Sequence, residues 1–246
     1  QLLKLYQEDY QDFEGFKNGP MPRLSKETDL MFGTEGQLGA IVSATLNTVP
    51  LENCSCFFKI LPRWEDDFSE HLRILDKLVL NEDLDLKILE LIDSNSLKFL
   101  TSEKQKPFID PETQVLGDIL LFKVPVKNLS CFENLFCEEE NIFEMRSAFY
   151  NDFRVSVPQM INEVNLKNKA IKKGTDVQVS REDFALLLES YREFSKEGIP
   201  YFLFGHFGDR HLHFNFTPKL KEEVLQVEEL LTEFYKGLTK LKVSPF

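Results

Sequence analysis

Three of the chain's four histidines lie within eight residues, at His206, His211 and His213. In a strand, side chains alternate between the two faces, so a strand over 211–217 would place His211, His213 and Asn215 on one face. The opposite face would be apolar, with Leu212, Phe214 and Phe216. A polar face inside a protein costs free energy unless it meets water, a metal or a ligand. The pattern predicts a metal or substrate site, with an edge strand of solvated histidines as the alternative.

The loop before this strand contains two glycines that could bend it over the polar face. Gly205 and Gly208 would let His206 and Asp209 fold back toward the histidines. Zinc and similar ions bind imidazole and carboxylate, and catalytic sites usually have three protein ligands and one open position. The sequence offers His206 and His213 as ligands and Asp209 as a further candidate, and a third ligand could also lie elsewhere.

Two other features could bind a substrate or cofactor. The spacing Gly33-x-x-Gly36-x-x-Gly39 would allow backbone N–H groups to approach a phosphate, although it is also typical of a tight turn. It is neither a Walker A motif nor the G-x-G-x-x-G of a dinucleotide fold. Arg146 lies in a mostly apolar segment that we predict to be helical, where its guanidinium could clamp a carboxylate. An ordinary surface arginine is the alternative.

The hydrophobic pattern predicts an α+β fold, an antiparallel sheet with helices on one face. Predicted strands cover residues 40–46, 54–60, 86–92, 118–124, 175–179, 200–204 and 211–217. Predicted helices cover residues 68–79, 138–149, 184–194 and 224–241. Residues 150–172 show no clear period.

Composition excludes several classes of protein. The net charge of −12 argues against binding of nucleic acid. No apolar run approaches the roughly 18–20 residues of a membrane-spanning helix. The four cysteines lack the spacing of a zinc or iron–sulfur site and indicate free thiols in a reducing compartment, so we expect a cytoplasmic protein.

Four segments resemble motifs of the FAD-linked oxidases of the vanillyl-alcohol oxidase superfamily, and they occur in that family's order. Asp29–Leu46 (DLMFGTEGQLGAIVSATL) is similar to the end of the flavin-binding domain. Ile88–Asp93 (ILELID) resembles the strand "alElmD". Lys173–Val179 (KGTDVQV) resembles "K-x-T-D-V-x-V-P", with serine in the place of the last proline. Gly205–Asn215 (GHFGDRHLHFN) resembles the hairpin "GHxGDGNLHxN". The branch that they resemble most contains the D-lactate and D-2-hydroxyacid dehydrogenases, including the glycolate oxidase type.

The resemblance implies a ferredoxin-like cap domain that closes over the flavin. Residues 1–50 would be an incomplete flange of the FAD-binding domain, and residues 51–246 would be the substrate or cap domain, incomplete at its C-terminal end. The family's Glu-His-Gly motif and its N-terminal glycine-rich loops are not in the sequence, so we expect this stretch to be inactive by itself. The segment 33–41 would contact FAD through Gly33, Thr34, Glu35, Gly36, Leu38, Gly39 and Ile41.

The resemblance also implies an activity, the oxidation of a D-2-hydroxyacid, with D-lactate foremost, by hydride transfer to the flavin. By motif position, His206 and His213 match ligands of a divalent metal, which could be zinc, manganese or iron. Asn215 matches a residue that touches the substrate, and Arg146 matches the arginine that binds its carboxylate. His211 stands in place of the family's asparagine and adds an imidazole, which makes it a third candidate catalytic residue.

Two other functions remain open at this point. A metal-dependent hydrolase could use His206, Asp209, His211 and His213 without a flavin. A non-catalytic homologue or subunit of a flavin oxidase complex would explain why Arg210-His211 replaces the family's Gly-Asn. The expected partners are a small 2-hydroxyacid, an electron acceptor that the sequence does not identify and a second copy of the chain in a homodimer. Peripheral contact with the inner face of a membrane is a further expectation for its location.

Overall fold

Seven strands form one antiparallel sheet across the part of the chain that the computed structural model describes, which is Met31, residues 36–169 and 172–238, and the backbone of residues 243–245. These strands are β1 (Cys54–Leu61), β2 (Ile88–Ile92), β3 (Asp118–Pro125), β4 (Ile142–Met145), β5 (Lys173–Gly174), β7 (Tyr201–His206) and β8 (His211–Phe216). Their order in the sheet is β4-β1-β3-β2-β7-β8-β5. A separate pair joins β6 (Val177–Val179) to β9 (Val243–Pro245).

The central strands bury side chains on both faces of the sheet. On β3, Leu120 and Phe122 belong to one apolar cluster, whereas Ile119 and Leu121 belong to another. This alternation follows from the period of two in a strand. The sheet therefore forms the middle layer of the domain.

Helices cover both of these faces. The helices are α1 (Ser69–Val79), α2 (Ser94–Leu97), α3 (Ser102–Gln105), α4 (Leu129–Leu135), α5 (Ser147–Asn168), α6 (Phe184–Ser195) and α7 (Lys221–Leu238). The cluster that contains Leu120 includes side chains of α1, α4, α6 and α7. The cluster that contains Ile119 includes Tyr150, Phe153 and Val157 of α5. The predicted α+β class with an antiparallel sheet is confirmed, and the structure adds one long helix on the second face.

One prediction for the middle of the chain is wrong, and one long helix has no counterpart among the predictions. Residues 138–146 do not form a helix, because residues 142–145 pair with β1 as the edge strand β4, and the helix α5 begins only at Ser147. Residues 150–172, which show no clear period, lie largely in the 22-residue helix α5. Its buried side chains follow helical spacing, but Pro158 and a buried Asn165 interrupt the apolar pattern.

The predicted strand over residues 40–46 is also absent from the described part of the chain. Residues 39–53 have no regular secondary structure. Their apolar side chains are exposed, and Val42 retains 94% of its accessible surface. A β-branched run needs a partner strand before it can form a ladder, and no described strand pairs with this one.

A buried polar cluster lies where β2 and β3 meet the α2 turn. Asp93 Oδ1 accepts hydrogen bonds from Ser96 N at 2.8 Å and Leu203 N at 3.3 Å. Asp118 accepts from the backbone of Trp64 and Ser94, at 2.7 Å each. Burial, together with the charge of Asp118, raises the pKa of Asp93 to about 7. This cluster ties the loop after β1 and the short helix α2 to the sheet.

None of the helices in the described residues is long and apolar enough to cross a bilayer.

Candidate functional site

The β7–β8 hairpin brings three imidazoles together on one face of the sheet. His206 pairs with His211 across the hairpin, and Phe204 pairs with His213. One potential ligand atom from each histidine lies within 4.8 Å of the others. His206 is partly exposed, whereas His211 is almost completely buried. The predicted alternation on β8 is confirmed, since Leu212, Phe214 and Phe216 pack into the apolar cluster on the other face.

Gly205 makes room for this cluster. Its φ of +141° lies in a region that side-chain-bearing residues rarely adopt. A Cβ atom there would lie 2.8 Å from the carbonyl oxygen of His211 and 2.9 Å from Cδ2 of His213. The His213 ring therefore packs where any larger residue at position 205 would place its side chain.

Asp176 connects two of the three imidazoles. Its Oδ1 lies 2.6 Å from Nε2 of His211 and 3.2 Å from Nδ1 of His213. Hydrogen bonds from His211 and then from His213 hold the pKa of Asp176 far below its usual value. The Asp176 side chain is about half exposed, so its carboxylate lies at the edge of the imidazole cluster, where it orients both rings.

Glu90 has the same relation to the third imidazole. Glu90 pairs with His206 across β2 and β7, and its Oε1 lies 3.2 Å from His206 Nδ1. Arg154 of α5 binds both carboxylate oxygens of Glu90, at 2.7 Å each. Burial acts to raise the pKa of Glu90, but the hydrogen bonds from His206 and Arg154 outweigh it and lower that pKa. The carboxylate therefore stays charged although it is largely buried.

A cavity of about 410 Å³ lies between α5 and the imidazole face of the sheet. Its lining residues are Glu90, Arg154, Val155, Pro158, Phe204, Gly205, His206 and His213. A second cavity, of about 450 Å³, also reaches Glu90, Arg154 and His206. Each volume lies in the range of small-molecule sites, and the lining of the smaller cavity combines a guanidinium, a carboxylate and two imidazoles.

Asn215 follows His213 on β8, on the face of the sheet that carries the imidazoles, whereas Arg146 lies far from them. Asn215 is fully buried, its Nδ2 donates to the backbone oxygen of His213 at 3.2 Å, and its Oδ1 has no hydrogen-bond partner among the described residues. Arg146 is exposed and caps α5 instead of lying within a helix, which corrects that part of the prediction. It follows the edge strand β4, four strands from β7 and thus roughly 19 Å away at the usual strand spacing.

The loop residues between the two strands of the hairpin do not join the cluster. Asp209 is not one of the grouped ligands, and its backbone oxygen accepts a hydrogen bond from Gln178. Arg210 has a φ of +57°, a conformation in which glycine is favoured. Its guanidinium donates to the backbone oxygens of Val179 and Gly208. The guanidinium of Arg210 thus binds backbone oxygens of β6 and of its own loop.

The segment predicted to contact FAD lies only partly in the described residues. Gly33, Thr34 and Glu35 fall outside them. The other four residues are exposed and belong to no helix or strand: Gly36, Leu38, Gly39 and Ile41. The described residues therefore do not form a closed flavin pocket by themselves.

The chemistry of the donor set does fit a divalent metal. Each imidazole has one ring nitrogen beside a carboxylate, so that nitrogen can carry the proton and the other can carry the lone pair. Metal-binding histidines usually donate their second N–H to a carboxylate in this way. His206, His211 and His213 could together hold such an ion.

Three residues of the site were missed by sequence reasoning: Glu90, Arg154 and Asp176. Glu90 had a signal, because it is the one charged residue on a strand of otherwise apolar residues. Asp176 belongs to the KGTDVQV segment, but no chemistry was assigned to it. Arg154 had no signal, since its helix was not predicted.

Comparison with known proteins finds a similarity for part of this domain. Residues 131–243 match the family described as FAD linked oxidases, C-terminal domain, and these residues include α5, the imidazole hairpin and Asp176. The match covers slightly less than half of the chain. A search of curated protein sequences finds no match to the chain. Over residues 131–243 the chain is therefore similar to the C-terminal domain of FAD linked oxidases, which supports the superfamily that its motifs resemble.

Proposed function

We propose that this chain forms the substrate-side domain of an FAD-linked oxidoreductase that oxidises a D-2-hydroxyacid, with D-lactate foremost. The observation that carries the proposal is the convergence of imidazoles and a guanidinium on one cavity, in a segment that matches the family of FAD linked oxidases. A hydroxyacid presents a hydroxyl and a carboxylate on neighbouring atoms. The cavity offers groups that suit both.

The chain's own residues would bind and orient this substrate. His206 and His213 would hold a divalent ion, which supplies a Lewis acid that lowers the pKa of the α-hydroxyl. FAD, when bound, supplies the acceptor for two electrons. Asn215 has a buried oxygen with no partner among the described residues, and this supports a role as an acceptor near the substrate.

Arg154 is the one arginine or lysine among the residues that line the smaller cavity. We assign to it the role of fixing the carboxylate of the substrate, because an arginine binds carboxylates in a defined orientation. Arg146 would bind the substrate carboxylate, as the resemblance implies, only if the substrate extended from the cavity to the edge strand β4. His211 would act through the cluster of imidazoles that holds the ion.

The exposed apolar segment supports the proposed domain boundary. Residues 36–50 belong to no described strand, and their side chains expose apolar surface at Ile41, Val42 and Leu46. Contiguous exposed apolar surface marks an interaction site. We propose that this segment lies against the flavin-binding domain in the complete enzyme.

The test uses the complete protein that contains this sequence, purified with its flavin. Anaerobic addition of D-lactate should bleach the flavin absorbance, and L-lactate should do so far more slowly. His213→Ala should retain the flavin and lose the bleaching, whereas Asp76→Asn, at a surface ion pair with Arg181, should behave as wild type. Bleaching at the wild-type rate in His213→Ala would contradict the role of the imidazole face.

A metal-dependent hydrolase is the second candidate, favoured by the three imidazoles within 4.8 Å of one another. It needs no flavin. A complete protein without flavin absorbance that hydrolyses esters or amides only when a divalent ion is present would favour the hydrolase.

A further inference from the structure

We propose that His211 is a third metal ligand, so that His206, His211 and His213 form a complete tris-imidazole site within this chain, positioned by Asp176. This inference rests on the proposed function for the role of the ion, but the experiment that tests it measures only the binding of a metal ion. It differs from the expectation drawn from the motifs, in which His206 and His213 are the ligands and a third lies elsewhere.

The first support is the geometry of the hairpin. His206 and His211 face each other in register, and the ring centroids of His211 and His213 are 4.6 Å apart. The ligand atoms of all three lie within 4.8 Å of one another. Nitrogen ligands bind zinc at about 2.0–2.1 Å, so two of them on one ion lie up to about 4 Å apart. Small rotations of the rings would therefore close the site around one ion.

The second support is the direction of each ring. The Asp176 carboxylate lies beside Nε2 of His211, which leaves Nδ1 to carry the lone pair. It also lies beside Nδ1 of His213, which leaves Nε2 for the ion. In the same way, Glu90 lies beside Nδ1 of His206. One carboxylate thus contacts Nε2 of one ring and Nδ1 of the other, so the nitrogen left for the ion is Nδ1 on His211 and Nε2 on His213.

The third support is the balance of charge. Three neutral imidazoles add no charge to a divalent cation, so the ion would bring two positive charges into the site. The carboxylates of Asp176 and Glu90 lie in direct contact with the three imidazoles. Arg154 already pairs with Glu90, which leaves Asp176 as the principal counter-charge to the ion. Imidazole ligands favour zinc, copper, nickel and cobalt over magnesium and calcium.

The fourth support is that three protein ligands leave one coordination position open. His206 is the most exposed of the three and lines both cavities, so the open position faces the space that a substrate would occupy. His211 is almost completely buried, so a water molecule could not take its place as a ligand without local rearrangement of the chain. The site would therefore be rigid on the His211 side and accessible on the His206 side.

The experiment titrates the complete protein, freed of metal by a chelator, with Co²⁺ and Zn²⁺. Calorimetry should give one site per chain, and the Co²⁺ complex should show visible absorption of the strength typical of four or five ligands. His211→Asn should weaken binding at least 100-fold, and Asp176→Asn should weaken it 10- to 100-fold, the range for partners of metal ligands. Asp176→Glu should recover part of the loss, and the surface control Asp76→Asn should bind as wild type.

A second measurement avoids substitution of the buried histidine. In the proton NMR spectrum of the Co²⁺ protein, three exchangeable imidazole N–H signals should appear at strongly shifted positions, one for each ligand. Two signals, or wild-type affinity in a folded His211→Asn protein, would overturn the proposal, as would a wild-type protein that binds no ion. If the ion binds through three imidazoles but D-lactate does not bleach the flavin, the proposed function fails and this inference stands.

Discussion

The guanidinium of Arg154 binds the carboxylate of Glu90 at two points, with Nε 2.7 Å from Oε2 and Nη2 2.7 Å from Oε1. Arg154 belongs to α5 and Glu90 to β2, in the middle of the sheet. This pair therefore fastens the long helix to the face that carries the imidazoles. It also defines one wall of each cavity.

Replacement of Arg154 by methionine should lower the free energy of unfolding by about 2 kcal/mol, because Glu90 would keep a largely buried charge without its main partner. The figure is below the ~3–5 kcal/mol for fully buried pairs, since Arg154 is partly exposed. Urea unfolding measures the change. Adding Glu90→Gln to this variant should restore part of the stability. If Arg154→Met alone unfolds at the wild-type urea concentration, the pair does not anchor α5.

The stability of the wild-type protein should be higher at pH 6 than at pH 8 by about 1 kcal/mol through Asp93. Its folded pKa, about 7, is above the usual 3.8, so the folded state binds a proton more tightly than the unfolded state. Folding is therefore favoured as the pH falls through 7, and the gain is lost as the pH rises. Asp93→Asn should flatten this part of the profile, measured by urea unfolding at several pH values. A variant with an unchanged slope would show that another group titrates there.

Gly205→Ala should destabilise the protein by roughly 1–3 kcal/mol and disturb the His213 ring. The new Cβ would meet the His211 carbonyl oxygen and the His213 ring at less than 3.0 Å. Gly198→Ala is the matched control, since Gly198 also has a positive φ but nothing lies within 4 Å of its added Cβ. Thermal unfolding and the NMR signals of the histidine rings compare the two. Equal effects of both changes would mean that backbone conformation, and not the contact, limits position 205.

Substitution of Val42 or Leu46 by serine should change the free energy of unfolding by less than about 0.5 kcal/mol, because both side chains are exposed. Leu91→Ala, at a fully buried position on β2, should cost about 2–5 kcal/mol. Denaturant unfolding of this 246-residue chain measures both. A loss above 1 kcal/mol for Val42→Ser would show that the segment packs against the domain in solution.

The sequence was most informative where the structure depends on local alternation. The polar and apolar faces of β8 follow directly from the order His211, Leu212, His213, Phe214. The α6 helix was equally clear, because its buried side chains recur at helical spacing. The helix α5 was missed, since Pro158 and a buried asparagine break the apolar stripe that would have revealed it.

Contacts between distant segments could not be predicted in the same way. The approach of Glu90 to His206 depends on the register of β2 against β7, which are more than 100 residues apart in the chain. The sequence predicts Arg146 as the residue that binds a carboxylate, but β4 takes it to the far edge of the sheet. Residue type and spacing identified the imidazoles, whereas the carboxylates and the guanidinium around them required the tertiary fold.

Pro158 adds a mechanical property to the wall of the smaller cavity. Proline has no amide hydrogen, so the backbone oxygen of Arg154, one turn earlier in α5, loses its usual helical partner. A helix that lacks one internal hydrogen bond bends most easily at that turn. The helix that covers the cavity is thus most easily bent at this turn, and deuterium should replace the amide hydrogens of residues 155–157 and 159 sooner than those of residues 151–153.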